Sequence, residues 1–244
     1  MTLFRASELD RLMECPGSAW LPRKADYTGL AAAWGNMVHA WVETGVVEDS
    51  NDGKLLQKRI DKAAVQRETL YPAGGEHEVP LAFNLVTEQA VRYPNPPLPP
   101  GVTRKAHVDA WKRSFGDEWF TGSVDYVGEL LDSWWIDDLK TGRDVTWGKY
   151  TWQQTAYALA WSKFKYGTYT NGRSTITHWP RYPSGRPPNR MGAVLDTEWL
   201  KKALDKFRQL RVDILAQRPE SLETGEHCYF CPSSGVCPKL NDRG

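Results

Sequence analysis

The chain has 244 residues and a mass of 27.7 kDa, with 41% hydrophobic and 25% charged residues, which suits one large α/β domain with decorations. A formal net charge of +1 excludes the strongly basic class that holds polyanions by bulk attraction. It does not exclude a protein whose carboxylates offset its phosphate-binding cations.

No run approaches the ~18 apolar residues of a membrane span. The start MTLFRASELDRLMEC is charged and has no apolar signal core. A soluble, cytoplasmic protein is expected, in which cysteines bind metal or react more often than they form disulfides.

Ser7 and Asp10 predict a helix start, with ELDRLME ended by Cys15-Pro16-Gly17. Residues 18–30 read as a loop, 30–45 as an Ala-rich helix closed by Gly45, and 54–70 as a polar helix. HEVPLAFNLV (77–86) reads as a first strand. YPNPPLPPG (93–101) reads as an extended surface loop, because proline excludes helix. VTRKAHVDAW (102–111) is expected to be a further strand, followed by a hairpin over 119–140. TWQQTAYALAWSKFKY (151–166) predicts an amphipathic helix, 173–182 a β-branched strand, and PSGRPPNRMG a loop. Asp196 then caps a helix to about Gln217, with Leu200, Leu204, Phe207, Leu210 and Ile214 along one face. This order predicts an α/β fold, a mixed β-sheet flanked by helices, in a single domain over 1–244.

The hairpin GSVDYVGELLDSWWIDDLKTG carries the chemistry. Val124 and Tyr126 alternate with Ser123 and Asp125, as in a half-buried strand. A symmetric turn at Leu131–Asp132 sets Asp125 directly opposite Asp138. Cross-strand Cβ atoms lie about 4.5–5.5 Å apart and like charges there repel, so the pair is best tolerated around a cation. The strand period places Asp138 and Lys140 on one face and Asp137 and Leu139 on the other. Asp138, not Asp137, is therefore the candidate ligand. Cys228, Cys231 and Cys237 form C-x2-C-x5-C, and Cys15 is the remaining cysteine; four thiolates suit Zn²⁺ or an iron–sulfur cluster. Three arginines in 181–190, with Tyr182 or Trp179 to stack a base, offer a phosphate-tracking loop, although such loops are more often plain solvated surface.

The set Asp125 … Asp138-x-Lys140, with DLKTG, resembles the core of the PD-(D/E)XK nuclease superfamily and its RecB-like branch. Gly35-x-x-x-His39 and Gln153-x-x-x-Tyr157 resemble that branch's two flanking helices. One cysteine before the core and three after it resemble the [4Fe-4S] exonucleases, among them the CRISPR-associated one, the fourth Cas protein, and its phage homologues. The resemblance implies a restriction-endonuclease-like fold. His39, Asp125 and Asp138, with the Leu139 carbonyl, would hold Mg²⁺ or Mn²⁺, and Lys140 would orient the attacking water. Gln153 and Tyr157 would face the site. Glu78 stands where some relatives have an acidic residue, with Glu76 and His77 competing for that place.

Cys15, Cys228, Cys231 and Cys237 would hold a [4Fe-4S] cluster stapling 1–30 to 218–244. The implied activity is exonucleolytic hydrolysis of DNA, single-stranded ends first, in recombination, repair or phage DNA processing, with a helicase or recombination partner. A catalytically silent DNA-end or partner-binding protein, or a structure-specific endonuclease, is the alternative.

Overall fold

The computed structural model describes residues 4–22, 30–63, 67–130, 133–142, 145–179, 188–217, 221–225, 227–228 and 231–241. Its strands are β1 (Phe4–Arg5), β2 (Glu76–Asn84), β3 (Ala90–Arg92), β4 (Trp119–Leu130), β5 (Ser133–Lys140), β6 (Gly172–His178) and β7 (Asn189–Leu195). Its helices are α1 (Leu9–Glu14), α2 (Leu30–Thr44), α3 (Asn51–Ala63), α4 (Arg67–Leu70), α5 (Arg104–Arg113), α6 (Thr151–Tyr166), α7 (Thr197–Ala216) and α8 (Pro238–Asn241). The strands form one sheet in the order β3-β2-β4-β5-β6-β7, with β1 also paired to β4. The β1–β4 and β5–β6 pairs are parallel and the rest antiparallel, so the sheet is mixed.

Each face of the sheet carries its own core. On one, Val124, Val127, Trp134 and Ile136 pack with Tyr157 and Trp161 of α6, Phe207 of α7, and Leu9 and Leu12 of α1. On the other, Tyr126, Trp135 and Leu139 pack with Trp34, Val38 and Trp41 of α2, Tyr71 and Trp179. Each buried indole removes about 150–250 Å² from water, roughly 4–6 kcal/mol at about 25 cal/mol per Å². Two like charges 4 Å apart cost about 4 kcal/mol at an effective dielectric of 20. The indoles of α2 therefore hold that helix over a carboxylate-lined floor despite the repulsion beneath it.

β4 is the central strand. β2 runs along one edge from Trp119 to Val127. The other edge is divided, with β1 at Phe120–Thr121 and β5 from Tyr126 to Leu130. The hairpin has the expected register, Tyr126 facing Asp137 and Leu130 facing Ser133. Leu131 and Asp132, the expected turn, lie outside the described residues.

The ladder ends at the Tyr126–Asp137 pair, one residue before Asp125 and Asp138 would pair. The β2–β4 ladder is also interrupted, at Glu78 and Asp125. Val124 and Tyr126 consequently enter opposite cores, against the expectation that they share a face. A break in pleat at Glu78 and Asp125, not a bulge at the turn, is the reason.

Several expected elements differ. Residues 102–111 do not form a strand: Thr103 Oγ1 accepts the Ala106 N–H at 3.2 Å, and α5 follows. The apolar alternation there is incidental, since Val108 is the buried residue of that helix. The 54–70 helix is α3 and α4, with 64–66 outside the described residues. The last four residues of the expected loop at 183–192 belong to β7, whose outer residues are largely exposed and carry no core pattern. Ser7 does not open the first helix; Glu8 Oε2 instead accepts the Arg5 N–H at 2.9 Å and a 3₁₀ turn, Ala6–Glu8, precedes α1. Among the described residues, no helix is long and apolar enough to cross a membrane.

Candidate metal centre and active site

Glu78 is the irregular residue of β2. Its φ of +47° lies in the left-handed region that a non-glycine residue enters at a cost, and it breaks the strand's alternation. The side chain reaches His39 Nδ1 with Oε1 at 3.7 Å. Asp125 Oδ2 lies 3.7 Å from the same nitrogen. His39, Glu78 and Asp125 are, among the described residues, the one group of three such side chains whose ligand atoms all lie within 4.8 Å of one another. Glu76 and His77 do not compete: Glu76 pairs with Arg92, and His77 packs edge-on to Tyr71 and Tyr126.

Gly35 explains how α2 comes so close. A Cβ there would meet Thr141 Oγ1 at 3.0 Å, so glycine lets the helix settle against the end of the DLKTG segment. His39, one turn on, then hangs over β2 and β4.

The second half of the site is on β5. Asp138 is buried, and Lys140 Nζ lies 2.5 Å from its Oδ2. Gln153 Nε2 donates to Asp138 Oδ1 at 3.0 Å and to Tyr157 Oη at 3.1 Å. Gln153 and Tyr157 thus meet the site through Asp138, while Lys140 is held by Asp138 and by the ring of Tyr150, 5.0 Å away. Leu139 enters through its N–H, which donates to Asp125 Oδ2 at 2.7 Å. That bond joins the two halves. Asp138 stands apart from the group of three, its oxygens turned to Lys140 and Gln153.

Asp137 is on the opposite face, as the strand period requires. It accepts from the Tyr71 hydroxyl at 2.8 Å and from Thr175, with Arg190 Nε 3.4 Å away. Arg190 also lies over Trp135, so it is part of this buried network and not of a phosphate-tracking loop. Trp179 is fully buried against Trp41 and does not present a stacking surface. Arg181, Tyr182 and Arg186 lie outside the described residues.

The electrostatics suit a cation. Burial and the neighbouring Asp138 push the Asp125 carboxyl up to about 7, although His39 and Lys140 pull it down. Burial alone would make His39 more acidic, but Asp125 and Glu78 outweigh it and raise its pKa to about 9. Lys140 is likewise raised: Asp138 and Asp125 prevail over burial. Carboxylates that resist ionising beside one another ionise readily once a divalent ion sits between them. Two carboxylates dominate this donor set, and such oxygens suit Mg²⁺ or Mn²⁺. The residues present therefore fit the ion.

Two contributors were not legible in the sequence. Asp10 accepts the N–H groups of Trp152 and Gln153 at 2.9 and 3.0 Å, capping α6 from far away in the chain. No local pattern announces such a partner, and its Ser-x-x-Asp spacing suggests a different cap. Tyr150, beneath Lys140, lies just ahead of α6 and outside the Q-x-x-x-Y spacing.

Cys15 and Cys237 are buried together with Leu21 and Leu222, and Cys228 and Cys231 are half-buried nearby in sequence. The Glu223 N–H points at Cys15 Sγ, 3.3 Å away, and the Gly225 N–H at Cys228 Sγ, 3.4 Å away. The two ends of the chain thus meet in a third, small core.

A mixed sheet whose central strand forks beside clustered acids, a histidine and a lysine is the framework of a metal-dependent nuclease. The chain belongs to the PD-(D/E)XK nuclease superfamily, whose family model matches residues 4–238. No curated protein matches the chain. A solved structure titled "Crystal structure of SSO0001" is similar at 13% identity and a TM-score of 0.45, over 97% of this chain and 86% of that one.

Proposed function

We propose that this protein is an exonuclease of the RecB-like branch that hydrolyses phosphodiester bonds at single-stranded DNA ends. The observation that carries the reading is the convergence of His39, Glu78 and Asp125 within 4.8 Å, beside the Asp138–Lys140 pair. His39, Asp125 and Asp138 hold Mg²⁺ or Mn²⁺, with the Leu139 carbonyl, and Glu78 joins them. When bound, the ion supplies charge neutralisation at the scissile phosphate and makes water more acidic. Lys140 orients the attacking water and stabilises charge developing on the phosphate. Gln153 fixes the Asp138 carboxylate through the amide bond described above, and Tyr157 fixes the amide. Asp125 is held by the Leu139 N–H, so its second oxygen keeps a set direction. His39, Glu78 and Asp125 are pre-aimed by the fold, whereas Asp138 has to turn an oxygen from Lys140 to join them.

Cys15, Cys228, Cys231 and Cys237 hold a [4Fe-4S] cluster that clamps the ends of a single domain over 1–244. The burial of Cys15 and Cys237 in one small core and the N–H groups aimed at Cys15 and Cys228 support this. Pathway partners follow only from the resemblance: a helicase or recombination protein would supply the single-stranded ends.

Linear and circular single-stranded DNA of one sequence, incubated with Mn²⁺, test the reading. The linear form should be degraded from labelled ends and the circle left intact. Cleavage of the circle would assign an endonuclease; no cleavage of either DNA or of RNA would point to a silent end-binding protein.

A further inference from the structure

Helix α5, where the sequence suggests a strand, brings a lysine to the metal centre's border. At its first turn, Arg104 Nη1 lies 3.6 Å from Glu43 Oε1 of α2, one helical turn beyond His39. At its last turn, Lys112 Nζ donates to Ser123 Oγ on β4 at 2.9 Å. Ser123 precedes Asp125 by two residues, and its β2 partner Pro80 follows Glu78 by two. At about 3.4 Å per strand residue, Ser123, which anchors Lys112, is roughly 7 Å along the strands from the positions of Asp125 and, through Pro80, Glu78.

Lys112 is half-buried, and its direct partner is a neutral hydroxyl. The charged groups acting on it are Asp109, Arg5, Glu78 and Lys105. Asp109, one turn back, is itself bonded to Lys105 at 2.9 Å. Glu78 is committed to the metal centre on the reading above. The ammonium is therefore desolvated, fixed in place, and short of a counter-anion once a divalent ion neutralises the acids. Ordering a lysine in advance at that spacing serves a chain of regularly spaced anions.

We propose that Lys112 binds the backbone phosphate neighbouring the one at the metal centre, in the nucleic-acid strand being cut. This rests on the nuclease reading and deepens it, because it sets the path of the strand along β4 and past α5. A lysine in this role carries no base preference; phosphate contacts position the strand and leave its sequence unread.

The test is binding of a labelled single-stranded oligonucleotide, with Ca²⁺ in place of Mn²⁺ to withhold cleavage, between 50 and 200 mM salt. Lys112→Gln removes the charge and keeps an N–H donor toward Ser123 on a side chain one atom shorter, and Lys112→Arg keeps the charge; circular dichroism checks that both fold. The Gln variant should bind about tenfold more weakly, and its log–log salt slope should fall by about 0.7, the share of one single-strand phosphate contact. The Arg variant should keep the wild-type slope. A Gln variant with unchanged affinity and slope, while the wild type binds and cuts, overturns this inference alone. Equal losses in both variants with no change of slope also overturn it. A wild type that neither binds nor cuts any oligonucleotide overturns the nuclease reading and this inference together.

Discussion

Glu78 has the backbone conformation of a glycine and the side chain of a ligand. Left-handed φ costs a non-glycine residue about 1–2 kcal/mol, and of its two partners in the group of three, His39 attracts the Glu78 carboxylate while Asp125 repels it. The backbone cost has no structural return within the sheet. Glu78→Gly should thus leave the metal-free protein at least as stable: relief of about 1–2 kcal/mol exceeds the roughly 0.5–1 kcal/mol of added chain entropy. The same variant should need at least tenfold more Mn²⁺ for half-maximal activity. Thermal melts and metal titrations check both halves, and a destabilised variant with the wild-type Mn²⁺ requirement would contradict the assignment. At this scale the sequence was informative where spacing carries the signal. Asp138 separates from Asp137 by the two-residue period, and His39 from its neighbours by the helical one. Glu78 stood as one of three adjacent candidates, because a positive φ leaves no mark in an apolar–polar pattern.

Among the elements, α6 shows how the site is held. Its own N-cap, Tyr150, makes no side-chain cap bond, and Asp10 of α1 supplies both oxygens instead. Burial raises the Asp10 pKa to about 7 although the two N–H groups oppose it, so the cap is made by a desolvated acid. Asp10→Ala should cost about 1–2 kcal/mol, as for a lost helix cap. It should also lower kcat more than it raises KM, since Gln153 begins at the released turn. Urea unfolding and steady-state kinetics measure the two effects. A stability loss with unchanged kcat would reduce Asp10 to a structural cap. The long helices were legible in extent: α7 follows its apolar stripe, and Asp196 Oδ1 accepts the Trp199 N–H at 2.7 Å as its cap position requires, whereas α6 is not the expected amphipathic helix, because every residue from Gln153 to Ser162 is buried. α5 was not legible. Ten residues with few buried positions read equally as alternation or as helix, and the Thr103 cap and the Lys105–Asp109 pair decide it.

For the whole molecule, the sheet's fork is the organising feature. β4 gives one half of an edge to β1 and the other to β5, and the acids occupy the gap between them. Sequence could supply the hairpin register but not the place where pairing stops, because that depends on β1, more than a hundred residues away. The two chain ends meet in the cysteine-containing core, which places the proposed cluster at the foot of α1 and, through Asp10, in mechanical series with α6. Protein purified without oxygen should be coloured and carry about four irons per chain. Colourless protein with about one zinc would remove the cluster and leave the nuclease centre intact.

Asp138 and Lys140, with His39, Glu78 and Asp125, are proposed to form one hydrolytic centre. End-labelled DNA digestion by wild type and Lys140→Ala, with Mn²⁺ present, tests it most directly. Lys140 is an ion-pair partner at the rim of the sheet, so the variant should fold, as circular dichroism would record, and lose digestion by at least two orders of magnitude. A folded Lys140→Ala protein that digests DNA at the wild-type rate would contradict the account.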